Sequence, residues 1–167
     1  DYTRARMTEA FGSGVDFNEF QNMWALKHEE IVGDDAMPLM DGARELLDLI
    51  QQLDIPRAVA TSTRSAQALD RLEKADLLHY FEFVVGGDQV TNSKPDPEIY
   101  LAATQKLGCN PTSCLAFEDS ENGVRAALGA GLRVIQVPDL VAPSANVRAL
   151  GHTILASLRD VPGYNFD

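Results

Sequence analysis

Basic residues are scarce in this chain. Its 167 residues carry 14 Lys and Arg against 25 Asp and Glu, a net charge of −11, with no run of cationic side chains. A duplex-binding surface needs several basic contacts to phosphates, so the composition argues against a nucleic-acid partner. It does not argue against a small phosphorylated metabolite, because one well-placed Lys and a metal ion outweigh the average field. Long apolar runs are also missing. Nothing approaches the ~20 residues of a membrane-spanning helix, so no membrane role is expected, and Asp1-Tyr2-Thr3-Arg4-Ala5-Arg6 lacks the apolar stretch of a secretion signal. Of the two cysteines, Cys109 and Cys114, neither sits in a CxxC pair or beside a His. They read as reduced, structural thiols of a cytoplasmic protein. The three histidines are too scattered for a zinc site. His28 lies on a helical stripe, His79 precedes a strand, and His152 sits far along the chain from every motif described below.

What is present is an ordinary globular composition, 45% apolar, enough for one domain with a small appendage. The first quarter reads as helices. Asp16 with Glu19 three residues on is a capping signal, and Phe17, Phe20, Trp24, His28 and Ile31 recur at helical spacing. After Val32-Gly33-Asp34-Asp35 and Pro38 the pattern changes to alternating helix and strand. The expected strands are 57–61, 83–85, 113–117 and 133–137. The expected helices cover about 43–53, 65–75, 97–107 and 122–130, with Asp96-Pro97 opening the third and Gly108 closing it. Such alternation implies an α/β fold, a doubly wound parallel sheet with helices on both faces. Ligands of such sheets bind beyond the C-terminal strand ends.

The chemistry-bearing residues fall at those ends. The first strand ends in Thr61-Ser62-Thr63-Arg64, the second leads to Ser93-Lys94-Pro95-Asp96-Pro97, and the third runs into Glu118-Asp119-Ser120. Taken singly, these are a helix cap, a loop cation and an acidic helix start. Taken together, a hydroxyl, an ammonium and a carboxylate pair converge on one sheet edge. Hydroxyl and backbone N–H donors hold phosphate oxygens, Lys neutralises charge that builds in phosphoryl transfer, and adjacent carboxylates suit Mg²⁺. Gly86-Gly87-Asp88 reads as a turn, since no Gly-Lys-Ser/Thr follows.

The run Thr-Ser-Thr, then Lys-Pro-Asp-Pro-Glu-Ile-Tyr, then Phe-Glu-Asp-Ser-Glu-Asn-Gly-Val resembles the second, third and fourth motifs of haloacid dehalogenase-like hydrolases. It is most similar to the branch with a helical cap after the first strand, which includes β-phosphoglucomutase, phosphoglycolate phosphatase and pseudouridine-5′-phosphatase. The resemblance implies that Thr61 binds the transferring phosphoryl group and that Lys94 steadies it and the nucleophile. Asp119 would hold Mg²⁺, with Glu118 assisting directly or through water. Ser62, Thr63, Arg64 and Asn122 would serve the substrate, and Asn122 with Gly123 would shape the loop after the acidic pair. Residues 1–37 would be the C-terminal part of the cap, and 38–167 the core.

The family's first motif, a strand ending in Asp-x-Asp, does not occur in this sequence. Asp34-Asp35 follows a helix and Asp139 ends the last strand, so neither replaces it, and the covalent chemistry has no nucleophile here. The missing strand belongs between those ending at Thr61 and Phe117. The expectation is therefore a split sheet with unpaired edges. A further N-terminal segment or a swapped strand would complete it, and the isolated chain would be inactive and prone to association.

The function expected is a Mg²⁺-dependent phosphatase of a small phosphorylated metabolite, working through an aspartyl-phosphate. A sugar-phosphate mutase uses the same constellation. A non-catalytic relative that kept the fold is the alternative from another class. A phospho-signalling receiver domain fits poorly, because its acidic pair precedes the Thr and Lys.

Overall fold

Asp16 starts a helix as its position predicts. In the computed structural model, which describes residues 2–32 and 38–163, its Oδ1 accepts hydrogen bonds from Asn18 N (2.8 Å) and Glu19 N (3.2 Å). These satisfy the first orphan donors of helix α2 (Phe17–Val32). Helix α1 (Tyr2–Phe11) precedes it. Phe17 is buried, with the Arg4 guanidinium 4.8 Å from its ring centre, while Phe20, on the expected apolar stripe, is 40% exposed. The side chains of Trp24, His28 and Ile31, and the pair Asp34-Asp35, lie outside the described residues. These helices fall in one compact unit, Asp1–Met37, and the remaining chain, Pro38–Asp167, forms a second.

The second unit alternates as expected. In chain order it comprises α3 (Ala43–Gln52), β1 (Ala58–Ala60), α4 (Ser65–Lys74), β2 (Phe83–Val85) and α5 (Glu98–Leu107). It continues with β3 (Leu115–Glu118), α6 (Glu121–Gly129), β4 (Arg133–Gln136), α7 (Ala145–Arg148) and β5 (Thr153–Ile154). Every strand pair is parallel: Ala58↔Phe83 to Ala60↔Val85, Leu115↔Arg133 to Glu118↔Gln136, and Ile135↔Thr153 with Gln136↔Ile154. The α/β class with a parallel sheet is thus the class found. Strand β3 starts two residues later than the sequence suggested and includes Glu118. Asn110 accepts from Thr112 N (3.0 Å) and takes Pro111–Ser113 into a turn.

The strands form two sheets, β1-β2 and β3-β4-β5, with no ladder between β1 and β3. The expected gap is therefore present among the described residues. It leaves a mark on burial. Strand β4, flanked on both sides, buries its last three residues, whereas all three residues of β1 are only partly covered. Helix α5 packs against β1, β2 and α6 and so bridges the two sheets. Its Ile99, Tyr100 and Ala103 join Val124, Ala126 and Ala127 of α6 and Ala116 and Val134 of the second sheet in one core. Each fully buried Ile or Val there contributes about 1.5–3 kcal/mol. Gly108, at φ +71°, ends α5 in the left-handed conformation that its missing Cβ permits, and its N–H bonds Gln105 O.

Candidate active site

Lys94 reaches across the gap. Its Nζ donates to the Ala60 carbonyl at the end of β1 (3.1 Å) and to Glu118 Oε1 at the end of β3 (2.5 Å). Only 10% of the Lys94 side chain and 6% of the Glu118 side chain are exposed, so the pair is nearly dry. Tyr100, from α5, donates its phenol to the same Glu118 oxygen and lies 3.4 Å from Lys94 Nζ. The other oxygen, Oε2, accepts from Ser120 Oγ at 3.2 Å. Glu118 is thus supplied with a cation and two hydroxyl donors, as a buried carboxylate requires. Burial, and then the Glu118 charge, push the Tyr100 phenol well above its ordinary pKa.

Local sequence holds these groups in place. Ser120 caps α6, accepting from Gly123 N (3.1 Å). Gly123 is required by space rather than by torsion, since a Cβ there would lie 1.8 Å from Glu118 Oε2. The loop that carries Lys94 is pinned by Glu98, whose carboxylate accepts from Thr91 N (2.8 Å) and Asn92 N (2.7 Å). Those backbone donors hold the Glu98 carboxyl below the usual carboxylate range. Asp96 accepts from Glu98 N (3.0 Å), so the Asp-Pro-Glu run opens α5 with Pro97 at the cap rather than at the first helical position.

The Thr61-Ser62-Thr63-Arg64 loop is fixed by the second strand's loop. Thr61 Oγ1 accepts from Thr63 N (3.1 Å), Thr61 N bonds Val85 O and Gly87 N bonds Thr63 O. Asp88 accepts from both Ser65 N and Ser65 Oγ at 2.7 Å, and these bonds lower its pKa. A Cβ on Gly86 would meet Ser65 N at 2.4 Å, and one on Gly87 would meet Ser62 O at 2.5 Å. Gly86-Gly87-Asp88 is thus a turn, as read, and one that also clasps the first loop. Ser62 and Arg64 are exposed, Thr63 is half-buried, and Asn122 lies in the first turn of α6.

The acidic neighbours differ. Asp119 is exposed while Glu118 is buried, and no cluster of three or more His, Cys, Asp or Glu occurs among the described residues. Such a donor set still fits Mg²⁺, which takes one or two carboxylates and completes its shell with water and substrate phosphate. Asp119 is the carboxylate with room for it, because both Glu118 oxygens already accept hydrogen bonds.

Three contacts were not foreseen. Tyr100 closes the Lys-Pro-Asp-Pro-Glu-Ile-Tyr run, and its spacing alone did not reveal that it meets Glu118. His152, remote in sequence, bonds Gln136 Oε1 through Nε2 (2.9 Å), and Gln136 Nε2 donates to the Asp119 carbonyl (3.2 Å).

With this geometry established, the match of residues 2–137 to the haloacid dehalogenase-like hydrolase profile settles kinship. The chain belongs to that family. It is 48% identical over 94 residues to a phosphorylated carbohydrates phosphatase of Thermotoga maritima, covering 56% of this chain and 44% of the relative. It is 36% identical over 141 residues to protein CbbY of Rhodobacter capsulatus, covering 80% and 62%. The crystal structure of CbbY from Rhodobacter sphaeroides in complex with phosphate superposes with a TM-score of 0.72 at 26% identity, over 89% of this chain and 67% of that one. The chain spans about half the length of the curated relatives it matches. No described helix is long and apolar enough to cross a membrane.

Proposed function

We propose that this haloacid dehalogenase-like chain is the larger part of a cytoplasmic, Mg²⁺-dependent phosphatase of small phosphorylated metabolites, sugar phosphates foremost. The observation that carries this is the Lys94 ammonium, set between the ends of β1 and β3 where the Thr61 loop and the acidic loop face one another. The named activity of the Thermotoga relative, a phosphatase of phosphorylated carbohydrates, supports the substrate class. So does the fructose-1-phosphate phosphatase YqaB of Escherichia coli, 42% identical over 82 residues.

In this reading Thr61, whose oxygen already accepts from Thr63 N, turns its hydroxyl proton to a phosphate oxygen. The Thr63 N–H is taken up by that bond, which holds the loop around the hydroxyl. Lys94 neutralises charge on the transferring group, and Glu118 with Tyr100 keeps its ammonium aimed at the gap. Asp119 holds Mg²⁺, whose chemistry is charge neutralisation on the phosphoryl oxygens. Glu118 acts from behind, through Lys94 or a bound water. Ser62, Thr63, Arg64 and Asn122 face the substrate. The attacking carboxylate of an aspartyl-phosphate route comes from outside these residues, on a strand that fills the gap, and residues 1–37 are the later part of the cap.

The test joins an N-terminal strand ending in Asp-x-Asp to this chain and assays a sugar-phosphate panel with and without Mg²⁺. Mg²⁺-dependent phosphate release, lost in Lys94→Ala and Asp119→Asn, is expected. Absence of release from every substrate would leave a non-catalytic relative. Isomerisation of β-glucose 1-phosphate with glucose 1,6-bisphosphate, without net release, would put a mutase in its place.

A further inference from the structure

A wholly buried glutamine at a strand end is a costly choice unless its amide has work there, because an apolar side chain of the same size needs no partners. Gln136, the last residue of β4, is 0% exposed. Its backbone is already held in the sheet, opposite Glu118 on one side and Ile154 on the other, and its carbonyl accepts from Leu155 N. The β3–β4 ladder ends here, with Val137 N bonding Glu118 O at 2.8 Å. The next carbonyl along, that of Asp119, has passed beyond the ladder. The Gln136 side chain supplies it with a donor at 3.2 Å.

The polarity of the contacts is then fixed from one end to the other. A carbonyl only accepts, so Gln136 presents Nε2 to Asp119 and Oε1 to His152. That oxygen also only accepts, so His152 carries its proton on Nε2, 2.9 Å away. This leaves His152 Nδ1 as a bare lone pair, buried and without a partner among the described residues. The fold tolerates an orphaned imidazole nitrogen to keep this order of donors.

We infer that Gln136 is a positioning residue for Asp119, fixing the peptide from which its exposed carboxylate projects, and that His152 locks the Gln136 amide in that orientation. The inference rests on Asp119 being the Mg²⁺ ligand proposed above. Residues that orient a metal ligand in this way typically alter metal affinity 10–100-fold when replaced.

The test uses the 167-residue chain, labelled with ¹⁵N, and Mg²⁺ alone as the probe. Backbone amide shifts of residues 118–123 report Mg²⁺ binding, and imidazole ¹⁵N correlations report the His152 tautomer. The expected result is an Nε2–H tautomer in the unaltered chain. Mg²⁺ affinity should fall about tenfold or more in Gln136→Leu, with a smaller loss in His152→Leu and thermal midpoints that do not track the losses. An Nδ1–H tautomer would overturn the inference whether or not the variants fold. So would unchanged Mg²⁺ affinity in Gln136→Leu when Asp119→Asn has lost it. Unchanged affinity in Asp119→Asn is a different failure. It would remove Asp119 as the ligand and the inference with it.

Discussion

Lys94 Nζ and Glu118 Oε1 lie 2.5 Å apart and join strand ends that share no ladder. Removing the cation leaves a buried carboxylate with only hydroxyl partners. Lys94→Met should cost about 3–5 kcal/mol of stability in urea unfolding. The double variant Lys94→Met, Glu118→Gln should cost less than the sum of the single changes. Additive costs would show that the two groups are not coupled in solution.

Tyr100→Phe removes a donor to that charged oxygen and should cost about 1.5–3 kcal/mol. The sign of its pH effect follows from the raised phenol pKa. The folded state holds the proton more tightly than the unfolded state, so this stabilisation is complete below the ordinary value of 10.0 and is lost as pH rises above it. The difference in stability between the parent chain and Tyr100→Phe should therefore narrow under alkaline conditions. Ultraviolet titration should show the same number of phenols ionising near the ordinary pH in the parent chain and in Tyr100→Phe.

Gly123→Ala places a methyl 1.8 Å from Glu118 Oε2 and should destabilise by about 1–3 kcal/mol as the carboxylate is displaced. Gly129→Ala, in the last turn of the same helix, meets nothing closer than 3.6 Å. It should be neutral or stabilising by up to about 1 kcal/mol. Thermal unfolding of the two variants side by side separates a packing constraint from a helix-wide effect.

Glu98 clamps the loop before Lys94 only while ionised. Its folded pKa is depressed, so its contribution is present above the ordinary value of 4.5 and is lost as pH falls through the lower folded value. Glu98→Gln should lower stability at neutral pH and flatten the acid limb of the stability–pH curve below about pH 4.5. An unchanged acid limb would assign the acid sensitivity to other carboxylates.

Much of this was legible in the sequence because it is local. Strands β1 to β4 appear as short apolar runs, Gly108 stops a helix, and Asp16 starts one. The order of Thr61, Lys94 and Glu118 at successive strand ends was enough to bring Lys94 and Glu118 to one edge. Strand β5 and helix α7 were not legible, since two and four residues carry no periodicity. Nor were the meetings of Tyr100 with Glu118 and of His152 with Gln136. Each depends on which face of an element turns toward a partner 18 or 16 residues away, and that is decided by packing. The unequal burial of Glu118 and Asp119 was hidden for the same reason. Adjacent residues at a strand end point to opposite sides, and only the surroundings show which side is dry.

The divided sheet has a kinetic signature in its amide protons. Along β1 the backbone of Thr61 turns toward β2 and that of Ala60 away from it, as the bond to Lys94 shows. By alternation Ala58 also turns away. In β3, Cys114 and Glu118 turn toward β4, and Leu115 and Phe117 away from it. In deuterated water, exchange should therefore run in alternation: fast at Ala58, Ala60, Leu115 and Phe117, and slow at the residues between them. A strand supplied to the gap, from whatever source, would slow all four together, and their combined protection would measure how tightly it is held.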